Sequence, residues 1–492
     1  MKSGLASLAF DLGSSNGRIF SGVFNGETLK ATELIRFPNY PVEMGGIHYW
    51  DLMQIWKQVK QGLVKAAQEG SAASIATDSW GADVVLLGKD GQILSNLISY
   101  RDDSVFEPLA HVNSLFTPAE LFPRVGSHYF SSPTIPALTK LKEDYPGILD
   151  HACTMLNLSD FFNYLLSGEK YSEYTICSTT QLLNPANRQW HWEVIDKLGY
   201  PAKIFLPPVL SGKILGEAAP AIQDETSLKK LKVTAACGHD SASAMLAVPA
   251  AEKEPWLCIS SGSWSVLMYE SGKPCLQNKD AFYGLLHEGC YGGTTRLTYN
   301  LIGLWIIQQL RREFGNPQYD ELDKEAAQVP AFRSIIAPQQ YRNLSNVVST
   351  MQDYCKKTGQ YVPETKGELA RSVYDSLALN SVIIINKMQN MLGFAFEKIY
   401  IVGGGCHSSL MIQSIADLTG KEVIAGPEEA AVIGNILTQL IALGEIGSVG
   451  QAREVVKQSC NFKHYSPQKM PALDMEKYTR ELYDMTEAVL PQ

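Results

Sequence analysis

The segment Asp11-Leu12-Gly13-Ser14-Ser15-Asn16-Gly17-Arg18 follows directly on the apolar run 5–10. A buried strand that ends in a carboxylate and opens into a Gly/Ser turn presents backbone N–H groups and hydroxyls to a phosphate. The carboxylate beside it can hold a magnesium ion, directly or through its water shell. Gly/Ser turns also serve purely as connections, so one turn decides little. A related design recurs near the middle of the chain, where 256–260 runs apolar into Ser261-Gly262-Ser263 and 264–269 runs out again. Two such turns in corresponding places imply a duplicated nucleotide-binding core.

Four further groups carry chemistry. Gly238-His239-Asp240-Ser241 follows the apolar run 233–237 and leads into small residues that can start a helix. Asp240 there can accept a proton from a substrate hydroxyl, and phosphoryl transfer asks little more of a protein than a base, cradled phosphates, magnesium and alignment. Asp before a small-residue helix start is also a common cap, and one geometry can serve both uses. Trp80-Gly81-Ala82-Asp83 sets an aromatic face beside a carboxylate, a pairing that suits a sugar; a core Trp and a turn Asp is the plainer alternative. Asn300 falls where a helix is expected to start, with Gln308 two turns later on roughly the same face. Gly403-Gly404-Gly405, expected between a strand and a helix, lets backbone approach a flat or phosphorylated ligand without side-chain clash. That run does not fit G-x-G-x-x-G, because its sixth position is Ser408, which disfavours a nicotinamide site. Neither a P-loop nor a protein-kinase His-Arg-Asp set is present.

The elements that must position these residues are of mixed α/β character. Residues 5–37 read as three strands, with Asn25-Gly26 as a hairpin turn. Asp51 is the expected cap of a helix whose Leu52, Ile55, Trp56, Val59, Leu63 and Val64 recur at helical spacing. A strand over 74–78 follows, then a hairpin of 84–87 turning at Lys89-Asp90-Gly91. Residues from about 100 to 235 are richer in aromatics, proline and loops. In the second half, helices are expected around 301–314 and 369–392, a strand at 398–402, a helix at 408–418 stopped by Gly420, and a strand at 422–425. Pro427-Glu428-Glu429 is expected to open another helix, whose small face of Ala430, Ala431 and Gly434 implies a close neighbour.

At 492 residues, two domains are expected, divided near 1–240 and 241–492. A net charge of −9 without a dense Lys/Arg run argues against nucleic-acid binding. Nine scattered cysteines without a CxxC pair read as a reducing cytoplasm. The apolar run at 5–10 is too short for a signal-peptide core and nothing approaches a membrane span, so a soluble, cytoplasmic protein is expected, as monomer or homodimer.

In chain order, the motifs 11–18, Asp-Ser-Trp-Gly-Ala-Asp (78–83), Tyr100-Arg101-Asp102, 238–244, Ser-Ser-Gly-Ser-Trp-Ser (260–265), Asn300 with Gly303-Leu304-Trp305, and 403–405 together resemble the FGGY carbohydrate kinases, most closely their rhamnulokinase branch. The resemblance implies the actin/hexokinase-like ATPase fold: two duplicated α/β domains of mixed sheet flanked by helices, with a deep interdomain cleft. It implies ATP and Mg2+ as cofactors and a small-molecule ketose phosphorylated at its terminal 1-hydroxyl. L-rhamnulose is then the first expectation, with L-fuculose or a related deoxyketose or ketopentose second. By position, Asp240 matches the family's general base, Asp11 its magnesium-side carboxylate with Asp240 also on the metal side, and Ser14, Ser15, Asn16, Gly17 and Arg18 its first phosphate loop. Gly262 and Ser263 match the second loop, while Gln308, Gly403, Gly404 and Gly405 match nucleotide contacts. Trp80, Gly81, Asp83, His239, Ser241 and Asn300 fall to the sugar. Departures occur at Asp103-Ser104-Val105, at His128 and Pro133, and at Leu286-His287-Glu288-Gly289-Cys290, several of them near the expected sugar side. An ATP-gated sugar sensor is the alternative of a different class, disfavoured by the presence of a base at 240; an assembly protein of the actin kind is a more distant one.

Overall fold

The computed structural model describes residues 5–127, 133–251, 254–276, 284–341, 346–468, 473–476 and 478–480. The chain divides into two compact units: Met1–Pro249, Glu270–Thr298 and Ala430–Ser459 form the first, and Ala250–Tyr269, Tyr299–Glu429 and Cys460–Gln492 the second.

The first unit is built on a six-stranded sheet in the order Lys213–Glu217, Lys232–Ala235, Ser74–Ser79, Leu5–Leu12, Asn16–Phe24, Leu29–Pro38. Leu5–Leu12 pairs antiparallel with the strand that follows its Gly/Ser turn and parallel with Ser74–Ser79. Beyond lie a parallel pairing to Lys232–Ala235 and an antiparallel one to Lys213–Glu217. The three expected strands over 5–37 are all present, and Gly26 takes φ +100 in the hairpin turn, where a side chain would be strained.

Asp51 caps the helix Leu52–Glu69 by accepting from the Gln54 N–H at 2.9 Å. Leu52, Ile55, Val59, Leu63 and Ala66 form its buried stripe, each large aliphatic among them contributing about 1.5–3 kcal/mol by leaving water. Gly62 lets this helix close on the sheet, since a Cβ there would lie 2.4 Å from Ile19 Cδ1. Val64, expected on the same face, instead faces outward at 39% exposure, because it is one residue past the stripe.

The hairpin expected at 84–91 is only partly present. Its turn closes through Gly88 N–H to the Gln92 carbonyl, but the ladder partner of Val84–Leu87 is the distant strand Thr154–Asn157. The described part of 100–235 is more helical than loop-rich. Helices Leu109–Leu115, Pro118–Val125, Thr134–Asp144 and Trp192–Lys197 gather Val112, Phe116, Leu121, Val125, Ile135, Leu138 and Val194 into their own buried cluster.

A second sheet runs Leu285–Gly289, Thr295–Ile302, Trp264–Ser271, Trp256–Ser261, Lys398–Val402, Val423–Ala425, Lys463–Tyr465. Trp256–Ser261 pairs antiparallel with the strand after its own Gly/Ser turn and parallel with Lys398–Val402. A further parallel pairing and a final antiparallel one follow. These four pairings repeat the sense of those around Leu5–Leu12, so the duplication read from two turns extends to the strands that flank them. The long helix Lys366–Leu392 starts on a capping box of Thr365 and Glu368, three residues earlier than the apolar spacing alone indicates.

Two other expected helix starts move. Asn300 lies inside Thr295–Ile302, and the helix begins only at Trp305. The reason is the backbone: the Gly303 and Leu304 N–H groups bond the Ser263 and Gly262 carbonyls at 3.0 and 2.8 Å, so 303–304 belong to the second Gly/Ser turn. With Asn300 on a strand, it shares no helical face with Gln308. The helix expected after Pro427 begins at Ala430, with no acid in its first turn. The Pro427 carbonyl accepts from the Gly403 N–H at 3.1 Å and Gly426 N–H reaches Ile401, which holds 426–427 on the sheet. The small face of Ala430–Ala442 does have its close neighbour: a Cβ on Gly434 would sit 1.7 Å from the Ser243 carbonyl oxygen of Asp240–Leu246.

Among the described residues no helix is long and apolar enough to cross a membrane. All nine cysteines are free thiols.

Candidate active site

In the first unit, strand register gathers three carboxylates. Asp11 stands opposite Arg18 in the antiparallel pair and beside Asp78 in the parallel one. The Ser79 N–H bonds the Gly238 carbonyl at 2.9 Å, which draws the 238–240 turn to the same end of the sheet. Open α/β sheets bind ligands at these carboxyl ends of their parallel strands.

Arg18 Nη2 ion-pairs with Asp11 Oδ2. Asp78 is fully buried, accepts from Asn435 Nδ2 at Oδ2, and among the described residues has no hydrogen-bond partner at Oδ1. Burial first, then the Asp11 charge, pushes Asp78 well above the ordinary carboxylate range. The same two causes, in the same order, push Asp240 up to about 6, against an opposing hydrogen bond from Ser241. Asp240 keeps 31% of its side chain exposed, so a substrate can reach it.

Asp240 is the first helical residue of Asp240–Leu246, and the cap position is His239, which makes no capping side-chain bond. The carboxylate thus stands one residue past the cap position: Ser241 Oγ donates to Oδ1 at 2.9 Å, and His239 Nε2 lies 3.5 Å from that oxygen. Burial, then the Arg296 charge, pushes His239 well below its ordinary range, so the neutral ring is favoured.

The first turn is closed by Gly13 N–H to the Asn16 carbonyl at 3.0 Å and braced by Asn39 Nδ2 to the Gly13 carbonyl at 2.9 Å. Asn16, Gly17 and Arg18 already belong to the next strand. Gly17 is required by packing, since a Cβ would lie 2.2 Å from the Phe37 ring. Arg101 Nη2 donates to Ser14 Oγ at 2.9 Å and lies 3.5 Å from Ser15 Oγ, placing a second cation on the turn.

Trp80 and Asp83 are both buried. Asp83 Oδ2 accepts from the Trp80 and Trp50 indole N–H groups, each at 2.7 Å, and the two rings pack 4.4 Å apart. Burial lifts Asp83 to about 7 against those two hydrogen bonds. Gly81 leaves room for Thr179, whose Cβ a side chain would meet at 2.8 Å.

The second unit holds an uncharged counterpart. Ser263 Oγ and the Gln308 amide exchange hydrogen bonds at 3.2 and 3.3 Å, linking the turn to the first turn of Trp305–Glu313. Gly403 has φ +82, and a Cβ on Gly405 would lie 2.2 Å from Ser261 Oγ, so the glycine run abuts the strand leading into the turn. Gly404 is exposed with open space at its Cβ position. Asn300 is half-buried in the same unit. Cys406, in the glycine turn, is buried and its thiol is pushed up to about 12 by burial, which leaves it unreactive.

Sequence spacing brought out neither Arg296 nor Asn435, and gave no role to Asp78, Arg101 or Glu288. Asp78, Arg101 and Glu288 sit in quoted motifs, but the partners that give them meaning lie up to 357 residues away, as with Asn435 and Asp78. Among the departures, His287 is fully committed to backbone: its Nδ1 bonds the Gly126 carbonyl at 3.0 Å and its Nε2 accepts from Cys275 N–H at 2.9 Å. Pro133 precedes the helix Thr134–Asp144 at its cap, and His128 lies outside the described residues.

Solved sugar kinases share this fold over nearly the whole chain. A ligand-bound xylulose kinase from Lactobacillus acidophilus aligns with TM-score 0.78 at 15% identity, covering 98% of this chain and 97% of that one. A Plasmodium falciparum glycerol kinase with ADP aligns with TM-score 0.75 at 16% identity, covering 100% and 99%. The fold is thus the actin/hexokinase-like ATPase fold as sugar kinases use it. The N-terminal domain of the FGGY family of carbohydrate kinases matches residues 6–247, and its C-terminal domain matches 257–443. The chain belongs to the FGGY family of carbohydrate kinases, ATP-dependent enzymes that phosphorylate sugars. It is similar to a rhamnulokinase from Bacteroides thetaiotaomicron, 34% identical over 95% of this chain and 96% of the relative, and to one from Oceanobacillus iheyensis, 32% identical over 93% and 98%.

Proposed function

We propose that this enzyme transfers the γ-phosphoryl group of ATP to the terminal 1-hydroxyl of a ketose, with L-rhamnulose first and L-fuculose or a related ketose second. Asp240 takes the hydroxyl proton as the oxygen attacks phosphorus and ADP leaves with the bridging oxygen. The observation that carries this reading is the Asp240 carboxylate itself: reachable, lifted to about 6, and set one residue past the helix cap. A base poised near working pH is what general-base catalysis favours. The rhamnulokinase name of the similar proteins supports the choice of sugar.

His239, Ser241 and Asn300, with the Trp80-Gly81-Ala82-Asp83 segment, are assigned to the sugar. Asp83 and the Trp80 indole act there from behind, since each is the other's hydrogen-bond partner. Residues Ser14 to Arg18 of the first unit, and Gly262, Ser263, Gln308 and Gly403 to Gly405 of the second, are assigned to the nucleotide.

Among the described residues no cluster of three His, Cys, Asp or Glu side chains could hold a metal. Mg2+ fits such a site when water and phosphate oxygens supply most of its ligands, with one or two carboxylates. Asp240, whose pKa the Asp11 charge raises, and Asp11 would hold it from the protein side. Mg2+ would there neutralise charge on the transferred group. The enzyme is assigned to the cytoplasm, as a monomer or homodimer.

The test is a coupled ADP-release assay with Mg-ATP against L-rhamnulose, L-fuculose, L-xylulose, L-ribulose, D-xylulose and glycerol. The highest kcat/KM is expected with L-rhamnulose. A clear preference for another ketose would overturn the sugar, and ATP binding without stimulation by any of them would favour a sensor.

A further inference from the structure

Behind the 238–240 turn lies a buried charge pair that the motifs did not assign. Arg296, from the strand Thr295–Ile302, is completely buried. Its Nη2 lies 2.6 Å from Glu288 Oε2 and 2.7 Å from His239 Nδ1. A guanidinium nitrogen has only protons to offer, so His239 Nδ1 is the acceptor. The ring proton of neutral His239 must then sit on Nε2, the nitrogen 3.5 Å from Asp240 Oδ1. Glu288 in turn fixes the guanidinium that imposes this choice, in the way an outer carboxylate fixes the tautomer of a functional histidine.

We propose that Arg296, held by Glu288, is a positioning residue that locks His239 as an Nε2–H donor on the Asp240 side. The proposal rests on Asp240 being the base of phosphoryl transfer. Without Arg296 the ring is free to place its proton on Nδ1 and present a lone pair toward the carboxylate, which repels where the donor attracts. The pair also explains why two charges are kept out of water at all: a buried ion pair adds little stability over an apolar pair of similar volume.

The variants are Arg296→Met with Glu288→Gln, a double change that leaves no buried charge unpaired, and His239→Gln, whose Nε2 amide offers a donor at the same place without a tautomer. In the Arg296→Met/Glu288→Gln protein, kcat with the preferred ketose is expected to fall about 10- to 100-fold, the scale of a misplaced reacting group, with KM for ATP unchanged. Added to His239→Gln, the same double change is expected to cost kcat little further. Histidine 1H–15N correlation spectra, with the His239 signal assigned by its loss in His239→Gln, read the tautomer directly and need no turnover. The Nε2–H form is expected in the parent protein, and loss of that single form in the double variant. A parent ring protonated on Nδ1, or a kcat loss equally large in the His239→Gln background, would overturn the proposal. A correct tautomer response with no ketose turned over would instead overturn the kinase reading and leave the positioning geometry standing.

Discussion

The two Gly/Ser turns share one backbone plan and differ in charge. Each joins a central strand to an antiparallel neighbour and has a parallel strand on its other side. Around the first turn stand Asp11, Arg18, Asp78 and Asp240, with Arg101 on its serines. Around the second stand Ser263, Gln308 and a glycine run with open space at Gly404. Backbone geometry of this kind can cradle a phosphate, and the proposed function gives both copies that use. In the same proposal only the copy that collected carboxylates also takes a proton, its base lifted first by burial and then by the Asp11 charge. Duplication would thus supply two cradles of one backbone plan, and side-chain chemistry would divide them into a reacting half and a holding half.

The sharpest way to break this division is Asp240→Asn. Loss of the base is expected to lower kcat by about 10²- to 10⁴-fold, with nucleotide affinity measured by calorimetry little changed. Equal loss of ATP binding would show that the charged copy also does the holding.

The pH profile should carry the same asymmetry. In the proposed function Asp240 acts in its ionised form, and burial with the Asp11 charge lifts its pKa to about 6. Activity is therefore expected above that value, and kcat/KM should fall about tenfold per pH unit below it. Asp11→Asn removes a like charge that raises Asp240, so its acid limb is expected to move to lower pH. A limb that stays in place would remove Asp11 from the tuning.

The smallest effect is expected at the neutral copy. Ser263→Ala breaks one uncharged hydrogen-bonded pair with Gln308, worth about 0.5–1.5 kcal/mol, and should raise KM for ATP up to about tenfold while leaving kcat and the acid limb alone. A kcat loss as large as that of Asp240→Asn would dissolve the comparison.

Much of this was legible in the chain because it is local. A carboxylate followed by a Gly/Ser turn, Asn25-Gly26 in a hairpin, Asp51 before an amphipathic stripe and the glycines at 403–405 each dictate their own backbone within a few residues. The misplaced boundaries have a common cause. At Gly303-Leu304 and at Gly426-Pro427, backbone groups that local propensity would give to a helix are taken by hydrogen bonds to a distant turn or strand. Trp80 and Asp83 were open to a sugar or a core reading because sequence shows an indole and a carboxylate close together, whereas the bond between them and the second indole of Trp50 exist only in the folded chain.

By itself the sequence determined the two turns, the residue types at them and the order of motifs along the chain, since these depend on neighbours within one turn or strand. The tertiary structure decided which charges meet. Parallel register put Asp78 beside Asp11, a bond from Ser79 to Gly238 brought Asp240 to them, and a strand more than fifty residues further on supplied the buried Arg296 that faces His239. Electrostatic tuning follows distance and burial, and neither is a property of position in the chain.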